Sequence, residues 1–156
     1  VTFILEIEDL RSALVPAIDK SMRFIQVQIG FDPDENKIFT LTVQLDVPGG
    51  LFGDELSFWV EAENADGKIE TYWDGLETRF ISRFYRSQIL AVIANSTEVL
   101  LNEFEPKSVI MVASSANLPI RATAKYLKII EVFKKLGYDN QELGRVAGVQ
   151  SWRFDR

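Results

Sequence analysis

The sequence predicts an α+β fold: an antiparallel-rich, twisted sheet with two main helices packed on it. Three observations carry this expectation. Residues 24–46 and 55–73 alternate apolar and polar side chains around polar turns, the pattern of hairpins with one wet face. Over 78–104 and again over 119–136 the apolar spacing changes to three and four residues, the period of a helix. Between them runs SVIMVA, 108–113, an apolar stretch without alternation that reads as a strand covered on both faces. The chain has 156 residues, which fits a single domain, 1–156, with a core of its own.

Taken in order, FILEI at 3–7 is short and β-prone, and Leu10, Leu14 and Ile18 then recur at helical spacing. Pro16 interrupts that spacing by removing an interior hydrogen bond, so the helix is kinked, short or absent. Ile25, Val27, Ile29 and Phe31 form the first alternating set, FDPDENK turns the chain, and Phe39, Leu41, Val43 and Leu45 form the second. A second hairpin places Leu56, Phe58, Val60 and Ala62 on one side, turns at NADG, and returns through KIETYW. Between the hairpins lies PGGLFG, 48–53, a flexible link that offers Leu51 and Phe52 to a protein partner.

In the first long helix Phe80, Phe84, Ile89, Ile93, Leu100 and Phe104 define the stripe, and Pro106 stops the run. In the second, Tyr126, Ile129, Ile130, Phe133 and Leu136 form the buried face. Lys134 and Lys135 suit the negative end of its dipole, and Gly137 suits the left-handed position that closes a helix. WRF near the C-terminus is read as a last strand.

Composition restricts the chemistry. With no cysteine and no histidine, the chain by itself makes no disulfide, thiolate nucleophile, His-based triad or Cys/His metal site. No catalytic residue, metal or cofactor is assigned on sequence grounds. The net charge of −6 argues against an electrostatic nucleic-acid binder. Its distribution is uneven: residues 1–78 carry 5 basic and 16 acidic side chains, residues 79–138 carry 9 and 4. An acidic sheet and basic helices would give the molecule faces of opposite sign. No stretch reaches the ~20 apolar residues of a membrane span, so a soluble, cytoplasmic protein without membrane attachment is expected.

The order strand, helix, antiparallel strands, long helix, strand, helix, strand is similar to that of the GNAT acyltransferases, and KYLKIIEVFKKLGY, 125–138, resembles their late helix. The resemblance implies an acyl-CoA-dependent transferase whose central helix opens on a Gly-rich pyrophosphate loop. The corresponding DGLETRFISRFYRSQ has no glycine between Leu76 and the end of the helix, so the chain departs from that family at the cofactor loop. The stretch from about 79 to 154 also resembles a loose group of small uncharacterised bacterial and phage α+β proteins. Pro106 to Ala113 and the run into LGY carry that likeness, which implies an accessory protein and no known chemistry.

Three candidate sites stand out. In ASSANLPIR, 113–121, Ser114, Ser115, Asn117 and Arg121 at a helix start form a candidate anion site; Ser115 or Asn117 serves equally as a helix cap. Arg79, Arg83 and Arg86, with Lys125 and Lys128 on the later helix, form candidate basic faces, for nucleic acid or an acidic protein if not merely solvated. Asp32, Asp34 and Glu35 lack calcium-loop spacing and read as a turn. Glu61, Glu63, Glu70 and Asp74 crowd the second hairpin as outward-facing charges, and Trp59, Tyr72 and Trp73 either line a groove or cover the sheet. The function expected is that of a small, non-catalytic binding protein recognising a protein, a further copy of itself or an anionic ligand. Acyl transfer is the enzymatic alternative and nucleic-acid binding the third.

Overall fold

A computed structural model describes residues 1–47, 53–73, 77–113, 123–146 and 149–156. In chain order these form β1 (Ile4–Leu5), α1 (Leu10–Ala13), β2 (Ala17–Asp19), β3 (Met22–Asp32), β4 (Lys37–Asp46), β5 (Asp54–Glu63), β6 (Ile69–Tyr72), α2 (Arg83–Phe104), β7 (Ser108–Ala113), α3 (Thr123–Lys135), β8 (Asp139–Val146) and β9 (Val149–Asp155). The described strands make one mostly antiparallel open sheet in the order β1-β3-β4-β5-β7-β9-β8, with β2 beside β3 and β6 beside β5. The α+β expectation holds.

Both hairpins are present. β3 and β4 pair from Met22↔Asp46 to Asp32↔Lys37, with a register shift between Gln28 and Gly30. β5 and β6 pair from Val60↔Tyr72 to Glu63↔Ile69. Alternation sends Ile25, Val27, Ile29, Leu41, Val43, Leu45, Leu56 and Val60 to one face, where all are buried. The other face carries Gln26, Thr40, Gln44 and Glu61, which remain accessible.

α2 and α3 lie on the same face of the sheet. Ile89, Val92, Ile93, Leu100 and Leu101 of α2 join the strand residues in one core with Ile129, Ile130 and Phe133 of α3. Aromatic pairs fix α3 over β5 and β9: Tyr126 stacks on Trp152 at 4.8 Å and approaches Phe58 at 6.3 Å, and Phe133 stacks on Phe154. With helices on one face only, β7 alternates: Val109, Met111 and Ala113 are buried and Val112 is exposed. The expectation of a strand covered on both faces is therefore corrected.

α2 begins at Arg83, not near 78, because the Ser82 hydroxyl accepts from the Phe84 amide and caps it there. Phe80 precedes the helix, and Phe84, expected in the buried stripe, is 73% exposed. Tyr85 turns inward instead, 6.3 Å from Phe3. Pro16 acts as expected, since α1 is one turn long. β2 and β8 have no counterpart in the sequence reading. No helix among the described residues is long and apolar enough to cross a membrane.

Candidate cleft beside strand β5

The long edge of β5 opposite β4 is shared by two strands. β7 pairs in parallel with Asp54–Leu56 only, and β6 pairs antiparallel with Val60–Glu63 only. Among the described strands none pairs with Ser57–Trp59 on that edge. Here the sheet divides, and a cavity of about 310 Å³ lies between it and the N-terminal half of α2. That volume is at the lower end of the roughly 300–1,000 Å³ range of small-molecule pockets.

Its apolar surface follows from the two periodicities already described. Leu41, Phe58, Val60 and Tyr72 come from the helix-side face of the sheet, and Ile89, Leu90 and Ile93 come from successive turns of α2. Ile81 contributes from the turn before the helix, and Trp59 and Trp73 line the open edge. Those two indoles lie 4.8 Å apart between centroids, and Trp59 Nε1 donates to Glu61 at 2.8 Å. Of the alternatives for Trp59, Tyr72 and Trp73, the groove is the one present.

The polar lining comes from the start of the two helices: Thr78, Arg86, Ser87 and Lys125. Arg86 Nε donates to the Ile81 carbonyl at 3.2 Å and an Nη donates to that of Thr78 at 3.1 Å, which fixes the guanidinium against the turn before α2. The Lys125 ammonium lies 5.8 Å from the Phe58 ring centroid and 4.9 Å from that of Tyr126, within cation–π range. Among the described residues no carboxylate lines the cavity.

Tyr72 is held from behind. Its hydroxyl donates to Glu70 Oε2 at 2.8 Å, and Lys37 bridges the same oxygen at 3.3 Å and Glu35 at 2.6 Å. Burial, reinforced by the bond to Glu70, pushes the phenol above its ordinary value. The bond from Tyr72, followed by the contact with Lys37, holds the Glu70 carboxyl below the usual range. Donation to Glu35 leads the causes that raise the Lys37 ammonium. The phenol is the donor of this pair, and the bond to Glu70 orients its ring in the cleft wall.

The sequence-derived basic residues separate. Arg79 lies in the turn before α2, and Arg83 is exposed with its guanidinium 5.4 Å from the Phe84 ring. Lys128 is exposed on α3, while Arg86 and Lys125 meet at the cavity. Thus one residue from each predicted stripe reaches a common site. Ser114, Ser115, Asn117 and Arg121, the candidate anion loop, lie outside the described residues, as do Leu51 and Phe52. Among the described residues no group of three or more His, Cys, Asp or Glu side chains is placed to hold a metal ion. Leu90 and Ile81 were not singled out from sequence; Leu90 is adjacent to the Ile89 of the helical stripe, the one signal that bore on it.

The fold and site together define a two-layer α+β protein with a largely apolar cleft at a divided sheet edge. Comparison with known proteins adds no family to that description: no family model, curated protein or solved structure matches the chain.

Proposed function

We propose that this chain is a non-catalytic binding protein whose ligand is a small amphipathic anion seated in the cleft between β5, β6 and α2. One observation carries the reading: the described lining of the cavity joins a largely apolar surface to the polar side chains of Thr78, Arg86, Ser87 and Lys125. Charge-assisted contacts supply direction, and the apolar floor supplies affinity that needs none. Tyr72, held by its bond to Glu70, gives the cleft a fixed aromatic wall.

The test is a thermal-shift titration against acetyl-CoA, common nucleotides, simple carboxylates and a short oligonucleotide, at low and moderate salt. A ligand bound only by the folded state raises the melting temperature as its concentration passes Kd. Stabilisation by small amphipathic anions, reduced in Lys125→Met, is the expected result. Stabilisation by none of the anions would overturn the reading and leave a protein partner in its place.

A second reading, acyl-CoA-dependent transfer, is favoured by the parting of β5 from β7 after three residue pairs, so that no described strand pairs with Ser57–Trp59 on the edge beside the cavity. The order of elements in the chain is its other support. Against it stands the start of α2, where a serine cap takes the place of a glycine-rich loop. Tight stabilisation by acetyl-CoA but not by simple carboxylates is the outcome that would favour it.

A further inference from the structure

We propose that the helix-free face of the sheet is a docking surface for a basic amphipathic helix of a partner protein. The placement of exposed hydrophobic residues points there. Ile4, Phe31, Ile38, Glu63 and Ile69 are successive Cα partners across β1, β3, β4, β5 and β6, so they form one row on the face opposite α2 and α3. Ile4, Ile38 and Ile69 are 39%, 48% and 56% exposed. Single exposed hydrophobics are ordinary on a protein surface, whereas a row of them marks a place where something binds. Further along the same face Trp59 and Trp73 pair at 4.8 Å, and Trp73 is exposed.

A sheet face offers side chains only, because its backbone groups are spent in the ladders. Its occupant must therefore satisfy its own backbone polar groups. A helix does so, and α2 and α3 already cover the opposite face in that way. From β1 to β6 the row crosses four inter-strand steps, about 19 Å at the usual spacing, which a helix of about 13 residues spans.

Charge makes the helix a basic one. Glu63 is exposed within the row, and Glu61 stands between it and the tryptophan pair. Among the described residues neither makes an ion pair. Glu55 adds a third carboxylate on β5, while Arg153, the cation on this face of β9, is paired with Asp155 at 3.1 Å. A second copy docked face to face would set these carboxylates against one another, and a nucleic acid or anionic lipid surface would meet the same repulsion. Lysine or arginine beside an apolar stripe complements both features of the row.

Fluorescence anisotropy of the intact chain against three labelled peptides of about 14 residues tests the proposal. One carries leucine and lysine at helical spacing, one has glutamate in place of lysine, and one has serine in place of leucine. The leucine–lysine peptide is expected to bind at least about tenfold more tightly than the other two. Glu63→Lys should weaken it about fivefold at low salt. Ile38→Thr combined with Ile69→Thr keeps β-branched side chains in the strands and should weaken it about tenfold. Leu127→Ser, at an exposed position of α3, should leave it unchanged. Amide chemical shifts perturbed by the peptide should cluster on β3, β4, β5 and β6.

Equal binding of the glutamate peptide, or no binding of the lysine peptide at millimolar concentration, would overturn the proposal. Shifts confined to α2 and α3, or a loss in Leu127→Ser as large as that in the isoleucine pair, would do the same. A dimer in sedimentation that dissociates in Ile38→Thr/Ile69→Thr would replace the basic helix with a second copy.

Discussion

The hydroxyl of Tyr138 donates to the carbonyl oxygen of Pro106 at 2.5 Å. This bond ties the end of α3 to the connection between α2 and β7, and so joins both main helices near β7. Tyr138 can reach it because α3 closes in a Schellman motif: its amide donates to the Phe133 carbonyl at 3.0 Å, and the amide of Gly137, with φ of +89°, donates to that of Lys134 at 3.1 Å. The ring then meets Phe133 edge-on at 5.4 Å. Tyr138→Phe keeps the ring and leaves the Pro106 carbonyl unsatisfied, so it is expected to cost about 1–3 kcal/mol. Urea unfolding with an unchanged slope checks it; a loss under about 0.5 kcal/mol would show that water replaces the hydroxyl.

Gly30 is required by a close approach. A Cβ at this position would lie 2.4 Å from the Ile4 carbonyl oxygen and 2.7 Å from two carbons of the Phe3 ring. Backbone of β1 must therefore move to admit a methyl group. Gly30→Ala is expected to lower stability by about 1–3 kcal/mol, as overpacking does, and to reduce hydrogen-exchange protection where β1 pairs with Phe31 and Gly30. Wild-type melting behaviour in this variant would show that β1 does not depend on that contact.

What was legible in the sequence follows from how local each feature is. The hairpins alternate over their whole length, and the exit from α3 is written in adjacent residues, Lys134 to Tyr138. The cleft is not local. It exists because β5 gives Asp54–Leu56 to β7 and Val60–Glu63 to β6, a division of registers that no periodicity within β5 announces. Arg86 and Lys125 consequently read as members of two separate surface stripes until the fold brings them together. β8 was missed for a related reason: DNQELGRV is an edge strand with a register shift between Glu142 and Gly144, and so lacks alternation.

Asp32 gives the hairpin turn a pH dependence. It is 1% exposed; burial pushes its carboxyl upward, but amide bonds from Glu35, Thr2 and Asp34 outweigh that and leave it below its ordinary value. The three bonds measure 3.1, 3.0 and 2.8 Å. A lowered folded-state value means that its stabilisation is complete above the unfolded value of 3.8 and is lost as pH falls through the lower, folded one. Asp32→Asn is expected to cost about 1–2 kcal/mol at neutral pH and to flatten this part of the acid limb. A variant whose stability falls in parallel with wild type below ~pH 4 would remove Asp32 as its source.

Ser96 is predicted to be a site where the protein is less stable than it could be. It is fully buried in α2, between Val92 and Leu100 on the core-facing side, and its Oγ has no hydrogen-bond partner. Thr97, beside it, satisfies its hydroxyl on the Ile93 carbonyl at 2.8 Å. Ser96→Ala removes the desolvated hydroxyl and improves helix propensity, so a gain of about 0.5–2 kcal/mol is expected. The substitution lies on α2 beyond the last of its cleft-lining residues, Ile93, and the affinity of any ligand found by thermal shift to bind the cleft should not change with it. Denaturant midpoints and a parallel titration measure both quantities. Destabilisation by more than about 0.5 kcal/mol would mean that the hydroxyl is bonded in solution, while a changed affinity would mean that its contribution extends to the cleft.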